Sequence, residues 1–194
     1  MRKIIILNGC PGSGKDTVSE YICKKYNYKS IAFKDGAFEL VYNYYNLSKD
    51  EYMSLYNDRS LKEKPSDKLD NKSPRKAMQY VVEEVYKKKY GRDFLATKII
   101  NQIKNDKSNN YVISDLGLDE EEISVHYHLR NEDYMIIYID RDGYTFENDT
   151  RSKRQIIHRT ITNNSTLEDL YKQIDNIILE QKIRGITQWS FWIQ

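Results

Sequence analysis

Gly9-Cys10-Pro11-Gly12-Ser13-Gly14-Lys15-Asp16-Thr17 follows the apolar run Ile4-Ile5-Ile6-Leu7 and leads into a helix-compatible segment from Thr17 to about Tyr26. Strand, glycine-rich loop, lysine, then helix is the context a phosphate-binding loop requires. The glycines let successive backbone N–H groups turn inward and come close to phosphate oxygens. The helix N-terminus adds a partial positive charge, and Lys15 adds a full one. Gly9, Pro11, Gly12, Ser13, Gly14, Lys15, Asp16 and Thr17 are therefore the candidate cradle for a nucleoside triphosphate. Asp16 stands where Ser or Thr normally meets magnesium, and Thr17 comes one position late. Asp16 reads either as a first-turn residue favoured by the helix dipole or as a contact to magnesium or its water.

Outward from this loop the chain alternates. Short apolar strands are expected at Lys3 to Leu7, Lys29 to Phe33, Tyr111 to Asp115, Tyr134 to Ile139 and Arg159 to Thr162. Helical spacing recurs at 37 to about 46, from the capping box Ser48–Glu51 onward, from Ser73-Pro74-Arg75 to about Lys89, and after Asp93. It recurs again from Leu118 to about Arg130 and from Thr166 to about Ile183. The polar stretch from Asn57 to Ser73 reads as a mobile loop. Strands alternating with helices predict an α/β, three-layer fold, a parallel five-stranded sheet with helices on both faces. Ligands in such sheets bind at the carboxyl ends of strands. Those ends carry the loop at 9–17, Lys34-Asp35, Asp115 and Asp140-Arg141.

The bulk numbers narrow the function. At 194 residues the chain fits one domain, with 36–92 as a helical insertion and 141–155 as a lid loop. With 31 basic against 29 acidic residues the net charge is only +2, which gives no electrostatic case for nucleic-acid binding. Cys10 and Cys23 are too few for a disulfide framework. No run approaches the ~18 apolar residues of a membrane span. The expectation is a cytoplasmic protein. The apolar tail Trp189-Ser190-Phe191-Trp192-Ile193 reads as packing on the body or joining a second copy in a homodimer.

Several residues carry candidate chemistry. Lys15 would bridge the outer phosphates. Asp115, ending an apolar strand, suits a magnesium-bound water. Lys34 and Asp35 could meet an acceptor's phosphate and hydroxyl. Arg75, in a Ser-Pro-Arg helix start, suits a monophosphate. Arg141, Arg151 and Arg154 flank a polar loop able to bring a guanidinium onto a transferring phosphoryl group. His126, His128 and His158 lack metal spacing and read as structural.

The loop at 9–17 resembles that of nucleoside monophosphate kinases, which often carry Gly-x-Pro-Gly-x-Gly-Lys-x-Thr. Its Gly-Lys-Asp-Thr variant is similar to phage-type deoxynucleoside monophosphate kinases. Ser73-Pro74-Arg75 with Gln79 resembles the same group, as do Asn163 to Leu170 and Arg141-Asp142-Gly143 followed by Phe146 and Asn148-Asp149-Thr150-Arg151. The resemblance implies transfer of the γ-phosphoryl of ATP to a (deoxy)nucleoside monophosphate with Mg2+. It implies Lys15 and the loop on ATP, with Thr17 on its phosphates; the residues expected toward the metal are Asp16, Thr17 and Asp115. It implies Arg75 on the acceptor phosphate and Arg141 or Arg151 acting from the lid; Lys34, Asp35 and Asp115 complete the residues expected at the acceptor. Two features depart from the family: Ser114-Asp115-Leu116-Gly117 stands where many relatives have Asp-x-Arg, and the lid is short. A kinase for another small acceptor and a nucleotide-dependent assembly module are the competing readings.

Overall fold

The computed structural model describes residues 3–130, 132–147 and 149–183. Five strands, β1 (Lys3–Asn8), β2 (Tyr28–Ile31), β3 (Asn110–Leu116), β4 (Asp133–Asp140) and β5 (Arg159–Thr162), form one sheet in the order β2-β3-β1-β4-β5. Every pairing is parallel. The central strand β1 is an unbroken apolar run because both of its faces are covered. Ile5 and Leu7 point to one face and meet Val18 and Ile22 of α1 (Lys15–Tyr26) and Leu170 and Ile174 of α8 (Leu167–Ile183).

By strand alternation Ile4, Ile6, Ile113 and Ile136 point to the other face, and all are buried. Helix α7 (Asp119–Leu129) covers that side, since its His126 Nδ1 bonds the Tyr134 hydroxyl at 2.6 Å. The α/β three-layer expectation therefore holds. Among the described residues no helix is long and apolar enough to cross a membrane. The apolar tail at 189–193 lies outside the described residues.

The chain divides into two compact units. One comprises the residues up to Ala32 and from Ile100 onward, and the other is Phe33–Ile99. The second unit is helical: α2 (Phe33–Tyr44), α3 (Lys49–Asn57), a 3-10 turn (Asp67–Leu69), α4 (Pro74–Gln79), a π-type stretch (Tyr80–Lys87), α5 (Lys88–Tyr90) and the first half of α6 (Phe94–Asn105). Its own core joins Phe38, Leu40, Val41, Tyr52, Leu69, Ala77 and Val81. The capping box forms as expected: Ser48 accepts from the Glu51 N–H, and Glu51 accepts from the Ser48 N–H.

Two expectations change here. Lys34-Asp35-Gly36 is not a turn closing a strand: β2 stops at Ile31 and α2 starts at Phe33. Phe33, Ala37, Leu40 and Val41 recur at helical spacing and are all buried, so tertiary packing draws the helix back to Phe33. Gly36 serves close packing, because a Cβ there would stand 2.8 Å from Leu95 Cδ1. The stretch from Asn57 to Ser73 is not all loop, since it carries a 3-10 turn at Asp67–Leu69. Leu69 is fully buried, Ser66 pairs with Lys72, and Arg75 reaches Glu63 at 2.6 Å.

Candidate phosphate-transfer site

The loop after β1 turns because two of its glycines take backbone angles closed to most residues. Gly12 has φ +81° and Gly14 φ +104°. Ser13 N–H closes a tight turn on Cys10 O at 3.1 Å, and Val18 N–H makes the first helical bond to Gly14 O. The N–H groups of residues 15–17 precede that bond and belong to the donor-rich helix start. Asn163, directly after β5, braces the loop, donating from Nδ2 to Ser13 O at 2.9 Å.

Lys15 is half-buried, and its ammonium donates to the carbonyls of Gly9 at 2.7 Å and Cys10 at 2.8 Å. Its pKa is lowered, first by burial and next by the charge of Arg151. Asp115, at the end of β3, is near enough for its charge to oppose that fall. The same carboxylate raises the pKa of Arg151, after its chief partner Asp149. Lys15, Asp115 and Arg151 thus share one electrostatic neighbourhood at the carboxyl ends of β1 and β3.

Arg151 is clamped. Its Nε and Nη2 donate to the two oxygens of Asp149 at 2.8 and 2.6 Å, and its N–H donates to the same carboxylate. Its aliphatic stem lies on the bare backbone of Gly117. The next residue is tied down as well, since Ser152 N–H donates to Gly117 O at 3.0 Å.

Arg141 reaches the loop from β4, donating from Nη1 to Gly12 O at 2.9 Å with its guanidinium over the Tyr144 ring. Tyr144 lies against Gly12, and Cys10 Sγ donates to Tyr144 O. Arg154 is different. It is 4% exposed and pairs with Asp119 at 2.7 Å and with the Ser152 carbonyl at 3.1 Å. It anchors the loop to α7 and is no candidate for the phosphoryl group.

Three site residues carry weak sequence signals. Asn8 is fully buried; its amide donates to Leu116 O and Ser152 O and its carbonyl accepts from Arg154 N–H. A lone polar residue ending an apolar strand was the available clue. Glu121 accepts from the N–H groups of Gly117 and Leu118 at 2.8 and 2.9 Å. Burial, then the Asp115 charge, pushes its pKa up to about 8. Nothing in the acidic run 119–122 distinguishes Glu121 from its neighbours before folding. Gly117 is the third.

Asp16 is exposed in the first turn of α1, and Thr17 is half-buried there. Among the described residues no three His, Cys, Asp or Glu side chains gather as a metal cage. A magnesium ion held mainly by phosphates and water needs only one or two protein oxygens, so the Thr17 hydroxyl and the Asp115 carboxylate fit that duty.

Lys34, Asp35 and Arg75 belong to the helical unit. Lys34 and Asp35 stand exposed in the first turn of α2. Arg75 pairs with Glu63, and its N–H donates to Lys62 O at 3.4 Å. Ser73 caps α4, accepting from Lys76 N–H, so this helix start is satisfied internally and is not an open anion site. The same unit holds a cavity of about 300 Å³ walled by Leu55, Leu61, Pro65 and Pro74.

A parallel five-stranded sheet with this loop at the carboxyl end of its central strand is an α/β P-loop fold of the kinase-like type. Residues 5–141 match the family model described as an AAA domain, and the chain belongs to that family. No curated protein matches the sequence. Among solved structures, the dephospho-CoA kinase of Campylobacter jejuni is 18% identical, with 96% of this chain and 100% of that one covered and a TM-score of 0.52. The APS kinase of Mycobacterium tuberculosis, solved in complex with AMPPNP and APS, is 8% identical, with 92% and 98% covered and a TM-score of 0.52. TT1252 from Thermus thermophilus is 13% identical, with 96% and 99% covered and the same TM-score of 0.52. At these identities the likeness is one of fold.

Proposed function

We propose that this protein transfers the γ-phosphoryl group of ATP to a small phosphorylated acceptor, a nucleoside monophosphate or its deoxy form. The observation that carries the reading is the convergence of Lys15, Asp115 and the clamped Arg151 around a phosphate-binding loop. The AMPPNP bound to the APS kinase of the same fold supports ATP as donor. The Gly-Lys-Asp-Thr loop supports a nucleotide acceptor, and Arg75, held by one exposed contact to Glu63, is available to its phosphate.

On this reading the acceptor phosphate oxygen forms a bond to the γ-phosphorus. The bond from that phosphorus to the β,γ-bridging oxygen breaks, and its electron pair leaves with ADP. Lys15 exchanges its contacts with Gly9 O and Cys10 O for the β- and γ-phosphates. Arg151 faces charge on the transferred group, and Arg141 steadies the loop through Gly12. Magnesium, when bound, neutralises phosphate charge, with Thr17 and Asp115 as its protein oxygens. Arg75 is the helical unit's candidate for the acceptor phosphate, after leaving Glu63. No covalent intermediate is required, so rate comes from positioning and fixed charge.

The test is ADP release from ATP with each ribo- and deoxyribonucleoside monophosphate, alongside shikimate, adenylyl sulfate and dephospho-CoA. Stimulation by one or more nucleoside monophosphates is expected. Turnover with only a non-nucleotide acceptor would shift the reading to another small-molecule kinase. ATP binding without any acceptor-dependent turnover would defeat it.

A further inference from the structure

Arg151 sits where it does because residue 117 has no side chain. A Cβ at Gly117 would stand 2.6 Å from Arg151 Cγ, 2.7 Å from Cδ and 2.9 Å from Cβ. Real Cβ contacts are not that short, so any other residue would push the stem off the strand end. The fit is enforced from both sides. Glu121 holds the Gly117 and Leu118 N–H groups, which fixes the turn leaving β3. Gly117 O accepts from Ser152 N–H, and Ser152 O accepts from Asn8, which is itself fully buried. Asp149 then fixes the guanidinium plane by a two-point grip. A long side chain held this way has already lost its rotamer freedom before any ligand arrives.

We propose that Gly117 is a positioning residue whose bare backbone seats Arg151 beside Lys15 in advance of nucleotide, with Asp149 as the clamp that sets the guanidinium. The cation is then a fixed part of the phosphate site and is not delivered by closure of the 141–155 loop. This rests on the reading of Arg151 as the group that faces the transferring phosphoryl.

A mutant cycle tests the two separately. With the acceptor found above, Arg151→Ala is expected to lower kcat by about 10²- to 10³-fold. Gly117→Ala is expected to lower kcat by roughly 30-fold or more, with the KM for ATP changed less than about threefold. The double variant should be no slower than Arg151→Ala alone, because the seat has nothing left to hold. Should Gly117→Ala not fold by circular dichroism, Asp149→Asn takes its place, with an expected loss of about tenfold that also vanishes in the Arg151→Ala background. If Arg151→Ala keeps its kcat, the role of Arg151 falls and the proposal with it. If Arg151→Ala is slow while folded Gly117→Ala and Asp149→Asn stay within about threefold of the parent, only the positioning role is overturned. Losses that add fully in the double variant overturn it too, since they would mark a general structural defect.

Discussion

Arg151 and Arg75 are each paired with a nearby carboxylate, yet the two regions hold their arginines in opposite ways. Arg151 gives two guanidinium nitrogens to both oxygens of Asp149, with side-chain exposures of 37% and 20%. Its stem rests on the backbone leaving β3. Arg75 gives one nitrogen to one oxygen of Glu63, with exposures of 50% and 58%, on a loop of the helical unit. A bidentate, partly desolvated pair resists exchange, whereas an exposed single contact contributes little and is readily given up. On the proposed reading that difference matches duty. The γ-phosphoryl group is the same for every turnover and suits a fixed cation. An acceptor must enter and leave, which suits an arginine with an easily surrendered partner.

Lys15→Ala is the severest way to break the fixed side of this contrast. It removes the ammonium that now bonds Gly9 O and Cys10 O while leaving the glycine turn intact. Acceptor-dependent ADP release should fall by at least about a thousandfold, the scale seen when a preorganised charge facing a phosphoryl group is removed. A persistent rate would show that the loop is not the ATP site.

Glu121→Gln probes the support beneath the same side. The folded carboxyl is raised to about 8 from an ordinary 4.5, so between those values the folded protein holds a proton that the unfolded chain releases. Its contribution is complete below pH 4.5 and fades as pH rises through about 8. The parent protein should therefore lose stability relative to Glu121→Gln by an amount on the order of a few kcal/mol between pH 5 and pH 8.5. Urea unfolding of both proteins across that range, taken as a difference, isolates this group from His126 and His158. A constant difference would mean the carboxyl is ionised throughout.

The same contrast shows what sequence can carry. Ile4-Ile5-Ile6-Leu7 followed by the glycine loop is local information, and it placed β1, the turn and α1 to within two residues. The parallel sheet followed from alternation alone. Lys15 and Asp115 were singled out by their places after β1 and at the end of β3, whereas Arg151 was one of several arginines in the loop after β4 and only its clamp on Asp149 separates it from Arg141. Gly117 and Asn8 were not singled out, because their roles depend on a strand end and a loop that lie 34 or more residues apart in the chain and meet only in three dimensions. The start of α2 was misplaced for a related reason: Ile31-Ala32-Phe33 satisfies a strand pattern locally, and only the burial of Phe33, Ala37 and Leu40 at helical spacing decides for helix. Glu121 lay among four acidic residues, and burial singled it out.

Arg75→Ala carries the smallest expected effect and sharpens the contrast most. Because the Glu63 pair is exposed, its loss should leave the urea midpoint within error of the parent. Because the arginine is proposed to meet acceptor phosphate, the KM for the acceptor should rise by about tenfold while the KM for ATP stays within about twofold. Glu63→Gln provides the opposite arm. Releasing Arg75 from its carboxylate removes a competitor for the guanidinium, so the acceptor KM should fall by up to about threefold with kcat unchanged. The corresponding change on the other side, Asp149→Asn, should instead lower kcat. A matched pair of clamp variants that moved the same parameter would mean that both arginines serve one ligand, and the division of labour between a fixed and an exchangeable cation would be wrong.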